Sequence, residues 1–468
     1  MVQDATALAQ AIHNRKTTAS EVMHASLDRA TEYSGLGAIA YLDSEYGLEQ
    51  AEAYDNKSKN CSGGQQLFGG VPTLAKDLGG PFPCLPVVAG SRMYERGKSG
   101  QDSYVSSRFS DVGLLPFGLT TTPEFGLSLS SEPAIGPACK NPLAEHLGAG
   151  GSSGGAASAV ASGIVSIAHA TDAGGSIRVP AACCGLVGFK PSRGAIPSGP
   201  GFGNYLGGIA SEFAICRSVR DAEALFGIMT TPAPGPSAPV AFAKTFPQKL
   251  RIGVVEDTGL LFPTAVERAE AVLEASRVLE AQGHVLHPVQ AADLATIAQG
   301  CGDVFEGIVS INLAALAHEP GNDFSLSEKI TQAALSTGKE ISGVQLWQLM
   351  QSMVQLSHDF ARLFDEVDCL LMPMLSSQPV RLGAFPTDHS DCGLHFKRMA
   401  GFAPLASIAN ITGCPALTLP FGEDGDGLPL PVQLMVPMGH DRLTLKLAKS
   451  LEMQERWQQR FSVAGMVQ

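Results

Sequence analysis

A chain of 468 residues, 44% hydrophobic and only 16% charged, carries enough apolar side chain for a large core, which excludes a disordered polypeptide. Its formal charge of -13, from 32 Lys and Arg against 45 Asp and Glu, gives a surface that repels phosphate backbones and anionic lipid. No block of five or six like charges makes a local exception, so nucleic acid and membrane are not expected partners.

The N-terminal stretch alternates apolar with polar residues, carries Asp4, and lacks the basic start and apolar centre of a secretory signal. ATALAQAIHNR from Ala5 reads as a helix, and Thr18 with Glu21 forms a capping box that opens a second helix over SEVMHASLDRATEY. Between Phe68 and Lys190 glycine-rich loops separate short apolar runs such as LLPFGL and VSIAHA, the pattern of buried strands. Residues 147 to 171 hold no charged side chain, and eighteen of them are Gly, Ser or Ala, which predicts a buried small-residue helix and not a membrane span. A Pro-rich connector at 230 to 239 leads into LRIGVVED, the helical stretch VERAEAVLEASRVLEAQG and HVLHPV, a strand, helix, strand unit. Residues 303 to 366 read as helical, with Phe305, Val309, Leu313 and Leu316 at core spacing. The strand CLLMPML, the segment NITGCPALTLPFG and a helix over LTLKLAKSLEMQERW complete the chain. No internal repeat is present, and the strands on either side of the helical segment read as members of one sheet in a single domain.

The ten cysteines, at 61, 84, 139, 183, 184, 216, 301, 369, 392 and 414, contain no CxxC pair or zinc-like spacing, which places the chain in a reducing cytoplasm.

GGSSGG at Gly150 to Gly155 is not a linker, because it runs into the apolar AASAVASGIVSIAHA. It lacks the lysine of a phosphate loop and the spacing of a dinucleotide loop. It does match G-x-S-x-G twice, with Ser152 or Ser153 at the centre, so an esterase-type elbow using Ser153 and one of His389, His395 or His440 is a rival reading. Against it, the preceding NPLAEHLGAG is polar where an elbow needs a buried strand. A second serine, Ser176 in TDAGGSIRVP, follows an apolar strand and three small residues, Ala173, Gly174 and Gly175. Such a turn converges amide N–H groups on one point, the requirement of an oxyanion, and points to acyl transfer. Neither His146 nor His169 is flanked by a carboxylate well placed to orient it as the base. Lys76, in LFGGVPTLAKDLGG, serves if burial makes it neutral; a surface ion pair is the competing reading of that residue.

Together GGVPTLAKD, TTTPEFG (120–126), GGSSGG, TDAGGSIRVP, PAACCGLVGFKPSRG (180–194), AICRSVRDAEAL (214–225), CLLMPML and IANITGCPALTLPFG (408–422) resemble the amidase signature family, and within it the bacterial hydrolases of linear and cyclic amides, including the aminohexanoate cyclic-dimer hydrolases. The resemblance implies an α/β fold, a large mixed twisted sheet flanked by helices on both faces, as one domain over 1–468. Its signature core covers about 68–225, and a variable helical cap about 290–365. It implies amide hydrolysis through an acyl-enzyme, without metal or cofactor, by Lys76 as base, Ser152 as bridging serine after a cis peptide bond and Ser176 as nucleophile. It assigns the N–H groups of Ala173, Gly174, Gly175 and Ser176 to the oxyanion, Ser153 to support, Asp172 and Arg178 to a bracing ion pair, and Gly126 to the acyl pocket. The partner implied is a small-molecule amide; a homodimer is one option for the assembly.

The sequence departs from the family at Ala173, often Thr or Ile, and at Pro431 in GLPLPVQ, where the family has glycine. The glutaminase subunit of a tRNA-dependent amidotransferase uses the same triad and is the main alternative, though Val179 stands where such subunits carry Gln. A catalytically silent protein on this fold is a third reading. The acyl pocket is expected largely from the variable segment at about 290 to 400; Cys301, Phe305 and Trp347 could line it or belong to the core, and core packing is the favoured reading of each.

Overall fold

The computed structural model describes residues 3–60, 66–97, 102–197, 199, 205–230, 240–259 and 261–466. Its strands are β1 (Ile39–Leu42), β2 (Val71–Lys76), β3 (Leu114–Thr120), β4 (Lys140–Asn141), β5 (Ala144–Gly148), β6 (Ile167–Asp172), β7 (Val187–Lys190), β8 (Ser211–Cys216), β9 (Arg251–Val254), β10 (Val285–Pro288), β11 (Cys369–Pro373), β12 (Ala416–Glu423) and β13 (Pro429–Met435). Eleven of them form one mixed sheet in the order β1-β3-β2-β6-β8-β7-β12-β13-β11-β9-β10, flanked by helices; β4 and β5 make a separate hairpin. The sheet takes strands from both sides of the helical segment, as the sequence predicts.

Strands β2, β6 and β8 are buried at every residue, so neither face is solvated and the polar residues they carry, Lys76, His169, Asp172 and Glu212 among them, are buried too. β2 runs parallel to β6, with Leu74 opposite Ala168, so both strands deliver their C-terminal ends to the same edge. That register brings Lys76 and Thr171 to one place.

The small-residue stretch before β6 is only partly helical. The helix Gly154–Ala161 is buried throughout and stops before Gly163 (φ +75°), after which the β-branched Ile164, Val165 and Ile167 favour extended backbone. Its small side chains allow close approach: a Cβ on Gly155 would stand 2.3 Å from the Thr121 nitrogen and 2.5 Å from the Ala38 carbonyl oxygen. The Thr18–Glu21 capping box forms as predicted. The helical segment begins earlier than its pattern suggests, at the 26-residue helix Ala291–Leu316, and continues in Lys329–Glu340 and Gly343–Ala361. Gly300 and Gly302 weaken the local helix signal, but Leu294, Ile297, Val304 and Ile308 pack on Met353, Phe360 and strand β11, and this packing outweighs propensity. The connector at 230–239 and Cys61 lie outside the described residues, save Thr230, which ends the helix Val219–Met229. The other nine cysteines are free thiols.

Candidate active site

Lys76 ends β2 with its side chain 1% exposed. Its Nζ donates to Ser152 Oγ at 2.7 Å and to Thr171 Oγ1 at 2.9 Å, and among the described residues it makes no ion pair. A charged amine without a carboxylate contact is costly in such a place. Burial pulls the Lys76 ammonium from 10.5 down to about 7, against the opposing charges of Asp172 and Glu212. The surface ion pair entertained for this residue does not form.

Ser152 follows a cis peptide bond from Gly151. Its carbonyl oxygen accepts from Ser131 Oγ at 3.1 Å, and the same hydroxyl receives the Gly154 N–H at 3.0 Å. Ser153 is fully buried; its Oγ donates to the Thr171 carbonyl at 3.2 Å, and its N–H donates to the Ser176 carbonyl at 3.2 Å. The two glycine–serine stretches are therefore stitched together, one on each side of the end of β6.

The turn that carries Ser176 is organised by Asp172. Its Oδ1 accepts the Gly175 N–H at 2.8 Å and Arg178 Nη2 at 3.0 Å, while Oδ2 accepts the Ile177 N–H at 3.1 Å and Arg178 Nε at 3.0 Å. Burial alone would raise this carboxyl, but the Arg178 guanidinium holds it well below the usual carboxylate range. Arg178, also fully buried, donates further to Gln433 Oε1 at 2.8 Å, Asn410 Oδ1 at 2.8 Å and the Ala406 carbonyl at 2.9 Å. Asn410 Nδ2 returns to the Asp172 carbonyl at 2.9 Å.

One expectation changes here. Gly175, assigned to the oxyanion donors, has its N–H committed to Asp172, because the turn needs that bond to close. The N–H groups of Ala173, Gly174 and Ser176 have no acceptor among the described residues.

Ser176 and Gly174 open on a cavity of about 480 Å³, walled by Gly126, Leu129, Phe305 and Phe396, with Asp303, Glu306 and Lys397 also on its lining. Gly126 lies against Ser152: a Cβ there would stand 3.2 Å from Ser152 Oγ. Phe305, assigned to the core, is a cavity wall, since one turn of its helix faces the glycines of the Ser176 loop. Cys301 is core as expected, and Trp347 is neither, standing 66% exposed on the outer helix.

The elbow reading fails on contacts. Ser153 Oγ is spent on Thr171, His395 Nε2 bonds the Leu127 carbonyl at 2.7 Å, His389 Nδ1 takes the Asp391 N–H at 3.1 Å, and His440 Nδ1 faces the Met438 carbonyl at 3.4 Å. Pro431, without a functional account in the sequence, lies opposite Pro420 in the β12–β13 ladder. Thr171, Asn410 and Gln433 are not singled out by sequence; all three lie inside quoted motifs, but only the fold aims them at Lys76, Asp172 and Arg178.

A buried lysine on a serine hydroxyl, a turn with free amide N–H groups and an adjoining apolar cavity make up the machinery of an acyl-transfer enzyme. The chain belongs to the Amidase family, whose model matches residues 21–445. It is 31% identical over 97% of its length to the putative amidase AmiC of Mycobacterium bovis, covering 95% of that protein. It is 28% identical over 96% of its length to a 6-aminohexanoate-cyclic-dimer hydrolase of Pseudomonas sp. (strain NK87), covering 94% of it. Among solved structures, a 6-aminohexanoate cyclic dimer hydrolase complexed with substrate superposes with a TM-score of 0.87 at 26% identity, over 98% of each chain. A bacterial aryl acylamidase of the amidase signature family gives 0.84 at 25% identity, over 100% of this chain and 99% of that one. The protein is an amide-hydrolysing enzyme with the amidase signature fold, as the sequence motifs imply.

Proposed function

We propose that Lys76, Ser152 and Ser176 form a proton relay that cleaves a carboxamide C–N bond through an acyl-enzyme. The observation that carries this is the 2.7 Å hydrogen bond from Lys76 Nζ to Ser152 Oγ, with no ion pair to Lys76 among the described residues. With the amine titrating near 7, roughly half of it is the free base at neutral pH. Neutral Lys76 takes the Ser152 proton, Ser152 takes that of Ser176, and Ser176 Oγ attacks the amide carbonyl. The tetrahedral oxyanion is received by the N–H groups of Ala173, Gly174 and Ser176, while Gly175 serves by holding the turn. Ser152 returns the proton to the departing nitrogen, an amine or ammonia leaves, and water releases the carboxylate.

The acyl group faces Leu129, Phe305 and Phe396, which supports a substrate with an apolar acyl portion small enough for about 480 Å³. Nine free thiols support a reducing, cytoplasmic setting.

The test is a rapid acid quench of the protein turning over a neutral anilide, followed by peptide mapping. Acyl mass on the peptide holding Ser176 is expected; acyl mass elsewhere, or a product burst without any adduct, would overturn the proposal.

A further inference from the structure

Beneath the Lys76 main chain lies a buried polar pair that the relay does not use. His169, in the middle of β6, and Glu212, on the neighbouring strand β8, are both 0% exposed, with His169 Nε2 at 3.1 Å from Glu212 Oε1. His169 Nδ1 accepts the backbone N–H of Lys76 at 3.2 Å, so the proton of this ring sits on Nε2 and is donated to Glu212. The same Glu212 oxygen accepts the Gly80 N–H at 2.7 Å. The rings of Phe82 and Phe109 close over the imidazole at 5.1 and 5.8 Å between centroids. The packing leaves no slack: a Cβ on Gly79 would stand 2.6 Å from Glu212 Oε1 and 3.3 Å from His169 Cε1.

Burying a carboxylate beside an imidazole is a cost that a purely apolar pair of side chains would avoid. We propose that His169 and Glu212 are a positioning dyad for the catalytic base: the histidine anchors the main chain at Lys76, and the glutamate sets a fixed negative charge within electrostatic reach of its amine. The inference rests on the relay proposed above. The charges facing Lys76 are those of Asp172 and Glu212. Asp172 is committed to Arg178, and Asp77, next in the chain, to Arg96 at 2.8 Å. Glu212 is therefore the charge that can be removed without dismantling the Ser176 turn. It opposes the burial of Lys76, so its loss moves the amine further down and makes the free base available at lower pH.

The experiment is the second-order rate of Ser176 modification by a phosphonyl fluoride from pH 5 to 9, a readout that needs no knowledge of the natural amide. Glu212→Gln keeps an oxygen for the Gly80 N–H and for His169 while it removes the charge. Its acid limb is expected to shift down by about 0.5 to 1 pH unit, so that at pH 5.5 its rate, relative to its own plateau, exceeds the wild-type value about 3- to 10-fold. General damage to the fold does not produce that relative gain. For the anchor, His169→Leu is expected to lower the plateau at least about tenfold, and His169→Gln, which offers both an acceptor and a donor, to restore part of it. An acid limb unmoved or raised in Glu212→Gln, or His169→Gln no better than His169→Leu, overturns the dyad. If wild-type Ser176 is not labelled, or Lys76→Ala leaves the limb in place, the relay itself has failed.

Discussion

Replacing Asp172 by asparagine puts the loop of Ser176 to the test. The carboxylate receives three donors on Oδ1, from Gly175, Arg178 Nη2 and Asn410 Nδ2, and three on Oδ2, from the backbone of Ile177 and Arg178 and from Arg178 Nε. An amide has a single acceptor oxygen, so either orientation turns an NH2 against three of these donors and leaves the guanidinium without its counter-charge. Breaking a fully buried ion pair in this manner costs about 3 to 5 kcal/mol. That is a large part of the roughly 5 to 15 kcal/mol that holds a domain folded, and it lowers the folded-to-unfolded ratio by about two to four orders of magnitude. Urea titration of both proteins at pH 7.5 measures the loss. The difference should shrink in acid. The folded-state carboxyl lies well below its unfolded value of about 3.9, so its stabilisation is present above that pH and is lost as pH falls through the lower, folded value. A loss under about 1 kcal/mol at pH 7.5, or a difference that grows as the pH falls below about 3.9, would refute the reasoning.

Three further outcomes follow from the same geometry. Gly174→Ala places a methyl 2.9 Å from Phe305 Cε2 at the cavity wall, so KM for an anilide should rise several-fold with a modest change in kcat, and an unchanged KM would contradict the placement of Phe305. Lys190 is buried, with its amine drawn down to about 7 by burial and by Arg178, so between pH 7 and 8.5 the unfolded chain binds a proton here that the folded protein has shed. The thermal midpoint should climb over that window and climb less in Lys190→Met; above about 8.5 the thiols oppose the trend, since Cys183 is pushed up to about 12 in the fold and ionises readily only when unfolded. Equal slopes in the two proteins would count against it. Replacing His389, His395 or His440 singly by asparagine should leave the rate of Ser176 labelling within about twofold, and abolition by any one of them would restore the esterase elbow.

The sequence makes legible what depends on local chemistry. The Thr18 and Glu21 cap, the apolar runs of β3 and β6, the glycine nest before Ser176 and the apolar setting of Lys76 all announce themselves within a dozen residues. The relations between distant segments are not legible in this way. Asn410 reaches Asp172 across 238 residues, and Gly80 reaches Glu212 across 132. Nothing near Glu212 in SEFAIC distinguishes it from an edge charge on a strand; its burial is decided by which strands become neighbours. Phe305 shows the same limit from the apolar side, since helical spacing says that one face is buried but not whether that face meets another helix or an empty cavity. The commitment of the Gly175 N–H to Asp172 was hidden too, because a glycine-rich turn specifies converging donors without saying which of them the turn keeps for itself.

The proposed relay makes Ser176 the nucleophile and Lys76, acting through Ser152, its base. The most direct measurement is the site and rate of phosphonyl fluoride labelling, located by peptide mass spectrometry, in the wild-type protein and in Ser176→Ala and Lys76→Ala. Adduct confined to Ser176, absent in Ser176→Ala and slowed by a factor of about 100 or more in Lys76→Ala, is the predicted result. Adduct on Ser153, or a labelling rate indifferent to Lys76, would contradict it.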